Sequence, residues 1–469
     1  MSEAKFVSGS TMHHVLVMTS TASIGIMALF LVDLADIFYL SLLGETEVAA
    51  AIGFAGSILF FTTSIGIGLM IAMAALVSQA IGARRRKRAR QIATNVLVYG
   101  FILTATASLL IYLSIPTLLG ILGAEGRALE LAELYLSIII PTFPLLALGM
   151  GASGFLRAVG DARRAMILML ITGTVNAILD PILIFGLDMG IAGAASATVI
   201  GRISSLIVGA IWISKVHKGF APFNFRSFRY QIPRISAIAL PAVMTNIATP
   251  IGTAYVTASM AKFGVSAVAG MAIISKLTPV AFGVIFALSG AVGPIFGQNL
   301  GAKKMDRVRQ TLKDAMLFMV LYISFVAVIL FLARSGIVSA FNATGESANL
   351  IILFCTWLAI TFIFSGTLFV ANASFNNLGR PTYSTFFNWG RNTLGIIPLV
   401  YLGAHYYGAE GVLVGQALGS MIFGILALMV ARRHVKGLAE GTVTAVQPPR
   451  NWRRKLRLIP LWPQITPKS

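Results

Sequence analysis

Two stretches of the chain, SQAIGARRRKRARQ (residues 78–91) and GQNLGAKKMDRVRQ (residues 297–310), decide the fold, because they repeat one pattern 219 positions apart. The repeat extends beyond the two stretches. Gly160 and Gly379 keep the same offset, and three glycines recur at an offset of 218, namely Gly190/Gly408, Gly193/Gly411 and Gly201/Gly419. A repeat of this length predicts that the chain is built from two similar halves.

The chain is far more apolar than a soluble protein. Of its 469 residues 57% are hydrophobic and 11% are charged, whereas soluble proteins carry about 25% charged residues. A membrane-spanning helix needs about 20 apolar residues. We predict twelve such spans, at residues 15–43, 48–80, 92–122, 128–156, 165–187, 190–214, 235–261, 268–297, 313–334, 348–377, 383–407 and 410–431. The composition therefore predicts an all-α integral membrane protein.

The basic residues indicate the orientation of the spans. With the N-terminus inside, 30 of the 36 Lys and Arg residues lie in inside segments and three lie in outside loops. Inside loops of membrane proteins carry this excess of positive charge. We therefore predict a multi-pass protein with both termini in the cytoplasm. We expect its location to be the bacterial inner membrane. The net charge of +20 then faces anionic membrane lipid rather than nucleic acid.

Six spans separate the two copies of the pattern, and an even number gives both halves the same orientation in the membrane. Parallel repeats of this kind place a cavity between two bundles that can open to alternate sides. The predicted N-lobe is residues 1–214 (spans 1–6), and the predicted C-lobe is residues 235–431 (spans 7–12). A basic cytoplasmic linker, residues 215–234, joins the lobes, and a basic tail follows at residues 432–469.

Three acidic residues fall within predicted spans, and all three are in the N-lobe: Asp33, Asp36 and Asp180. A carboxylate at bilayer depth is costly, so it is retained for a partner or for function. Asn176 precedes Asp180 by one helical turn and could join it in binding a small cation or a proton. Arg202, within the sixth span, could instead neutralise one carboxylate permanently, and both interpretations stay open.

The C-lobe has no matching acid. Its spans carry two cations, Lys276 and Arg391, and several amides, among them Asn246 and Asn376. We predict these four as residues of the substrate cavity. Buried cations would suit an anionic substrate, such as a lipid-linked saccharide or another anionic metabolite. Export of such an anion is the alternative to export of a cationic organic compound.

The sequence offers little for an enzyme. It contains one cysteine, Cys355, and five histidines, with no cluster at metal-ligand spacing and no nucleophile–base motif. We therefore expect no enzymatic activity, no metal site and no organic cofactor.

Several motifs together resemble the multidrug and toxic compound extrusion (MATE) family over almost the whole chain. They are ADIFYLSLLG (35–44), SQAIGA with the basic residues that follow it, FLRAVGDARR (155–164), NAILDPILIFG (176–186), GIAGAASATVIG (190–201) and GQNLGAKK (297–304).

The resemblance implies a V-shaped pair of six-helix lobes that exports amphipathic, often cationic organic compounds in exchange for protons or sodium ions. We expect the protein to act as a monomer. In the DinF-like branch of the family the coupling site lies in the N-lobe, and matching residue by residue gives Asp36, Asn176, Asp180, Thr198, Tyr135 and Ser153. Ser153 stands where relatives have an asparagine, and Asp33 and Arg202 add charge as possible modulators. The family's proline in the first span is missing here, whereas the second half keeps Pro241.

Overall fold

A computed structural model describes residues 4–41 and 46–443, and its regular elements are all helices. Within the first two helices, the side chains of residues 33, 34, 37, 38, 41 and 46 lie outside the description, as does the predicted tail after residue 443. The short helix Lys5–Val7 precedes the first long helix, and Ile115–Ile121 lies between the third and the fourth.

The described residues form eleven helical runs that are long and apolar enough to cross a bilayer, and a break within the last run divides it into two helices, which gives the predicted twelve. The last two form one continuous run that the non-helical residues Tyr407 and Gly408 divide. The helices are α1 (Thr11–Ser41), α2 (Thr46–Gly82), α3 (Arg86–Leu113), α4 (Gly126–Ala158), α5 (Ala162–Gly186), α6 (Gly190–Val216), α7 (Phe225–Ala261), α8 (Val265–Gly301), α9 (Met305–Ala340), α10 (Glu346–Asn377), α11 (381–406) and α12 (409–439).

Several helices change their winding within the bilayer-spanning region. A 3₁₀ turn at Ile140–Thr142, which contains Pro141 and is followed by Pro144, interrupts α4, and α5 ends in a π turn, Ile182–Gly186, after Pro181. Proline lacks the N–H that would continue the helical hydrogen bonding, so it permits such changes. By contrast α1, which has no proline, is helical throughout Thr11–Ser41.

The backbone confirms the internal repeat. Residues with positive φ recur in corresponding loops of the two halves, and in four of these pairs the φ angles agree within about 10°. The pairs are Arg84 (58°) and Lys303 (59°), Gly126 (54°) and Gly345 (56°), Gly160 (78°) and Gly379 (88°), and Gly190 (51°) and Gly408 (60°). The two halves therefore share loop geometry as well as sequence.

Small residues let the last two helices pack very closely. Gly403 and Gly411 face each other so tightly that a side-chain carbon on either would overlap the other's backbone carbonyl. Further from the turn, Gly415 and Gly419 pack in the same way against the backbone of α11. Glycines four residues apart are the usual device for close helix contact in membranes.

The connection between the lobes is shorter than the predicted linker of residues 215–234. Helix α6 ends at Val216 and α7 begins at Phe225, so half of the predicted linker is the first turns of α7. The side chain of Asn224 accepts a hydrogen bond from the Ser227 N–H (2.9 Å) and caps α7. An asparagine cap is strong enough to start the helix well before the apolar run.

One charged cluster holds the loop between α4 and α5. Asp161 caps α5 by accepting from the Arg164 N–H, and it pairs with the Arg164 guanidinium (2.6 Å) and with His217 Nε2 (3.0 Å). Burial opposes the ionisation of Asp161, but these hydrogen bonds outweigh burial, so its pKa lies below the ordinary value. The cluster ties the end of α6 to the start of α5.

Candidate functional site

The loops that carry the repeated basic pattern meet at one end of the molecule, here called the basic face. Two hydrogen bonds related by the repeat join the lobes there. Gln79 Nε2 of the N-lobe donates to the Asn377 carbonyl of the C-lobe (2.9 Å), and Gln298 Nε2 of the C-lobe donates to the Ala158 carbonyl of the N-lobe (2.8 Å). These bonds, here called the seal, close the space between the lobes at the basic face.

Glycines make the seal possible. A side-chain carbon at Gly82 would overlap the Gln298 carbonyl, and one at Gly301 would overlap the Gln79 carbonyl. Helices α2 and α8 therefore cross in direct backbone contact. This accounts for the Gln-x-x-Gly spacing that both copies of the pattern share.

The N-terminal segment fastens the seal from the basic face. Phe6 is 3% exposed, its N–H donates to Gln298 Oε1 (3.0 Å), and its carbonyl accepts from Asn299 and Arg307. On the other side, Lys5 Nζ donates to the Gly160 carbonyl of the N-lobe (3.3 Å). The segment therefore contacts both lobes.

Above the seal lies a cavity of about 550 Å³ between the lobes. Most of its wall is apolar and includes methionines and phenylalanines, namely Met70, Met150, Met169, Phe286 and Phe369. Its two charged residues are both arginines, Arg157 and Arg202, and no acid lies among the described residues that line it. The described cavity wall is therefore positively charged.

Arg157 lies at the floor of the cavity, near the seal. It is 6% exposed, and its Nε has no hydrogen-bond partner among the described residues. Its Nη2 contacts the Met169 sulfur at 3.6 Å. Its Nη1 lies over Gly290 of the C-lobe, so closely that a side-chain carbon on Gly290 would displace the guanidinium. This guanidinium therefore reaches from the N-lobe wall to the C-lobe.

Arg202 projects from α6 into the same cavity. Its Nη1 donates to the Thr142 hydroxyl (2.9 Å) and to the Ile139 carbonyl (3.4 Å), where the irregular turn of α4 leaves carbonyls accessible. No carboxylate whose side chain is described lies within salt-bridge distance of it. The predicted pairing of Arg202 with Asp36 or Asp180 is therefore not observed.

Asp36, Asn176 and Asp180 come together between α1 and α5 and are here called the carboxyl site. Asn176 Nδ2 donates to Asp36 Oδ2 (2.9 Å), and the Asp36 carboxyl faces that of Asp180, which is 0% exposed. Neither oxygen of Asp180 accepts a hydrogen bond from a described residue. Two facing carboxylates repel each other unless a proton or a cation lies between them.

The carboxyl site lies further from the basic face than the cavity does. Helix α1 lines the cavity at Ile26 and Leu29, and Asp36 follows Leu29 by seven residues, about 10 Å along a helix. The two sites share α1 and α5 but occupy different heights, so a movement of either helix would act on both.

Thr198 lies at the height of the carboxyl site. It is on α6 between two points where α6 touches the backbone of α5, Gly201 against Thr172 and Gly193 against Leu183. Its hydroxyl donates to the Ala194 carbonyl within its own helix (3.1 Å).

Tyr135 and Ser153, which the resemblance groups with the carboxyl site, lie far apart on α4. Eighteen residues separate them, about 27 Å along a helix. Ser153 lines the cavity, as does Leu168, which is twelve residues or about 18 Å before Asp180. Tyr135 is an electrostatic neighbour of Arg202. The structure therefore places Ser153 in the cavity wall. The predicted modulator Asp33 lies outside the described side chains.

Of the four residues predicted for the substrate cavity, the structure places two in its wall. Asn246 and Asn376 line the cavity, whereas Lys276 is exposed and Arg391 does not line it. Arg391 is 8% exposed within the π turn of α11, with its Nε unpaired among the described residues. The cations that line the described cavity are therefore on the N-lobe, whereas Lys276 and Arg391 are on the C-lobe.

Sequence reasoning missed Arg157 because it counted this residue with the cytoplasmic loop after the fourth span. The repeat holds a signal that would have found it. At an offset of 219, Ser153 corresponds to Asn372 and Arg157 to Asn376, and all four line the cavity. Polar residues at equivalent places in both halves mark the inner faces of α4 and α10.

Known proteins match the chain over most of its length. The sequence profile of the MatE family matches residues 22–182 and 241–402, once in each half. The chain is 30% identical over 423 residues to a protein of Shewanella oneidensis called "FAD transporter", covering 87% of this chain and 92% of that protein. It is 22% identical over 415 residues to "Multidrug export protein MepA" of Staphylococcus aureus, covering 87% and 90%.

Among solved structures, a substituted form of the Vibrio cholerae MATE transporter VcmN is 26% identical. It superimposes with a TM-score of 0.87 and covers 92% of this chain and 98% of that one. A structure described as the outward-facing conformation of a multidrug resistance MATE family transporter gives the same TM-score at 22% identity, covering 94% and 99%. The two-lobed helical fold is therefore one that solved transporters share.

Proposed function

Because the chain belongs to the MatE family of membrane transporters, we propose that it is a secondary active exporter in which the carboxyl site exchanges a cation for an organic substrate. Its basic face is cytoplasmic, in the inner membrane of a bacterium. The observation that carries the proposal is the pair of facing carboxyls, Asp36 and Asp180, in one lobe of a two-lobed repeat. A buried pair of this kind binds one proton or one small cation reversibly.

Alternating access depends on the two hydrogen bonds of the seal, which join the lobes at the basic face. The seal closes the cytoplasmic side when the Gln79 and Gln298 bonds form, and it opens when they break. Loading of the carboxyl site removes the repulsion between Asp36 and Asp180 and lets α1 and α5 approach. Because these helices also line the cavity, ion binding and substrate release are linked through them.

The exported compound is amphipathic, with an anionic group. A mostly apolar wall with adaptable methionines accepts a large apolar part, and the two arginines without an acid favour negative charge. The relative called "FAD transporter" supports this substrate class. The second candidate is a cationic drug, which the relatives called multidrug export proteins support and the described charges of the cavity oppose.

Transport into inside-out proteoliposomes tests the proposal. FAD and ethidium serve as the anionic and the cationic probe, and a pH gradient and a sodium gradient are imposed separately. We expect one of the two gradients to drive accumulation of FAD beyond equilibrium. If neither gradient drives either probe, the chain is not a cation-coupled exporter of these classes.

A further inference from the structure

We propose that the floor of the cavity is a phosphate subsite, in which Arg157 of the N-lobe and Asn376 of the C-lobe bind a phosphate ester group of the transported compound. The proposal rests on the proposed function, since it assumes that the cavity carries the substrate. It assigns particular atoms and one chemical group to that cavity.

Arg157 is buried without a counter-charge among the described residues. A buried guanidinium is costly unless a carboxylate, a carbonyl or a ligand compensates it. Within the described residues Arg157 has a sulfur contact and an unpaired Nε, and no carboxylate lies within salt-bridge distance. Its placement at the end of α4, facing the cavity, leaves most of its five donors for a ligand.

Asn376 of the C-lobe lines the same cavity as Arg157. Its Oδ1 accepts from the Ser384 hydroxyl (3.1 Å), so its amide nitrogen is the group that remains to donate to a ligand. A guanidinium binds phosphate oxygens in pairs, and amide N–H groups complete such a site. With Arg202 higher on the wall, the cavity carries two positive charges, which a phosphate monoester balances and a single carboxylate does not.

The space above the floor suits the apolar part of a compound that carries such a phosphate. The wall around the two arginines is apolar and includes Met70, Met150, Phe286 and Phe369. A cavity of about 550 Å³ falls in the range of pockets that enclose small organic ligands, roughly 300–1,000 Å³. An aromatic ring system attached to the phosphate therefore fits the wall chemistry. The phosphate itself would bridge the two lobes directly above the seal.

Riboflavin and its phosphate ester FMN form a matched pair of probes that differ in this one group. Equilibrium binding to the purified full chain in detergent is followed by quenching of flavin fluorescence, with no gradient present. We expect the wild-type chain to bind FMN at least about tenfold more tightly than riboflavin, as one or two charge-assisted hydrogen bonds imply. Arg157→Gln should lose about tenfold in FMN affinity and keep its riboflavin affinity.

Two further variants separate the subsite from general effects of charge or folding. Arg163→Gln removes an equal charge from an exposed position in the first turn of α5 and should leave both affinities unchanged. Asn376→Ala should weaken FMN about threefold to tenfold without changing riboflavin. The unchanged riboflavin affinity shows that each variant is folded.

The proposal is overturned if the wild-type chain binds FMN no more tightly than riboflavin, or if Arg157→Gln keeps the wild-type ratio. That result leaves the proposed function standing wherever a gradient still drives FAD or ethidium. Conversely, an FMN preference without gradient-driven transport would contradict the exporter and leave the subsite in place.

Discussion

Gly301→Ala should open the seal at the basic face, because it places a side-chain carbon where the Gln79 carbonyl now lies. The clash is with backbone, so a rotamer change cannot relieve it and α2 and α8 must separate. Gly336→Ala is the matched control, since nothing lies within 4 Å of a side-chain carbon at that position in the described structure.

The magnitude follows from the bonds that the separation breaks. The Gln79 and Gln298 hydrogen bonds each contribute about 0.5–1.5 kcal/mol net. Their joint loss disfavours the sealed form by about 1–3 kcal/mol, a shift of roughly 5- to 150-fold in the equilibrium between sealed and open forms. Loss of the Phe6 contact with Gln298 would add to this shift.

Thiol labelling measures the shift. Thr249, which lines the cavity and is exposed to it, is changed to cysteine in a chain whose buried Cys355 is changed to serine. A membrane-impermeant reagent is then applied to the basic face of oriented vesicles. We expect Gly301→Ala to label at least about fivefold faster than its parent and Gly336→Ala to label at the parent's rate. Equal labelling of all three would refute the seal.

Two further predictions concern stability. Asp161→Asn should destabilise the protein by about 1.5–3 kcal/mol near neutral pH, through lost hydrogen bonds to a charged group. Because the pKa of Asp161 is lowered in the fold, its contribution is complete above the ordinary carboxyl value near 3.9 and declines as pH falls below it. Thermal unfolding in detergent should therefore show the gap between variant and wild type narrowing in acid, and a constant gap would contradict this account. Gly411→Val should destabilise by about 1–3 kcal/mol or more, because the hairpin of α11 and α12 has no space for a side chain there. Gly53→Val, in open space, is its control, and equal melting temperatures would refute the close packing.

The fold could be predicted from the sequence because the determining signals are local or periodic. Apolar runs of bilayer length fix the helices, and the repeated pattern at residues 78 and 297 fixes the number of halves. The same pattern gave no indication that its two copies touch each other. That contact depends on how Gly82 and Gly301 allow α2 and α8 to cross, which is a property of tertiary packing.

The carboxyl site and the cavity differ in how many of their residues could be predicted from the sequence. Acids within apolar runs are rare and costly, so Asp36 and Asp180 were identifiable one by one, and Asn176 followed from the helical turn. Arg157 was not identifiable in this way, because a cation at the end of an apolar span is assigned to the adjoining loop when spans are read from composition. Whether such a residue faces the cytoplasm or a cavity depends on the neighbouring lobe, here on Gly290, over which the Arg157 Nη1 lies.

The central claim is that the facing carboxyls load the coupling ion, and Asp36→Asn tests it most directly. The substitution keeps the shape of the side chain and removes one charge of the pair. In proteoliposomes, with FAD as the anionic probe, we predict that it abolishes gradient-driven accumulation of this flavin while exchange of labelled for unlabelled FAD continues without a gradient. If Asp36→Asn accumulates the flavin against its gradient at the wild-type rate, the carboxyl site is not where the ion couples to export.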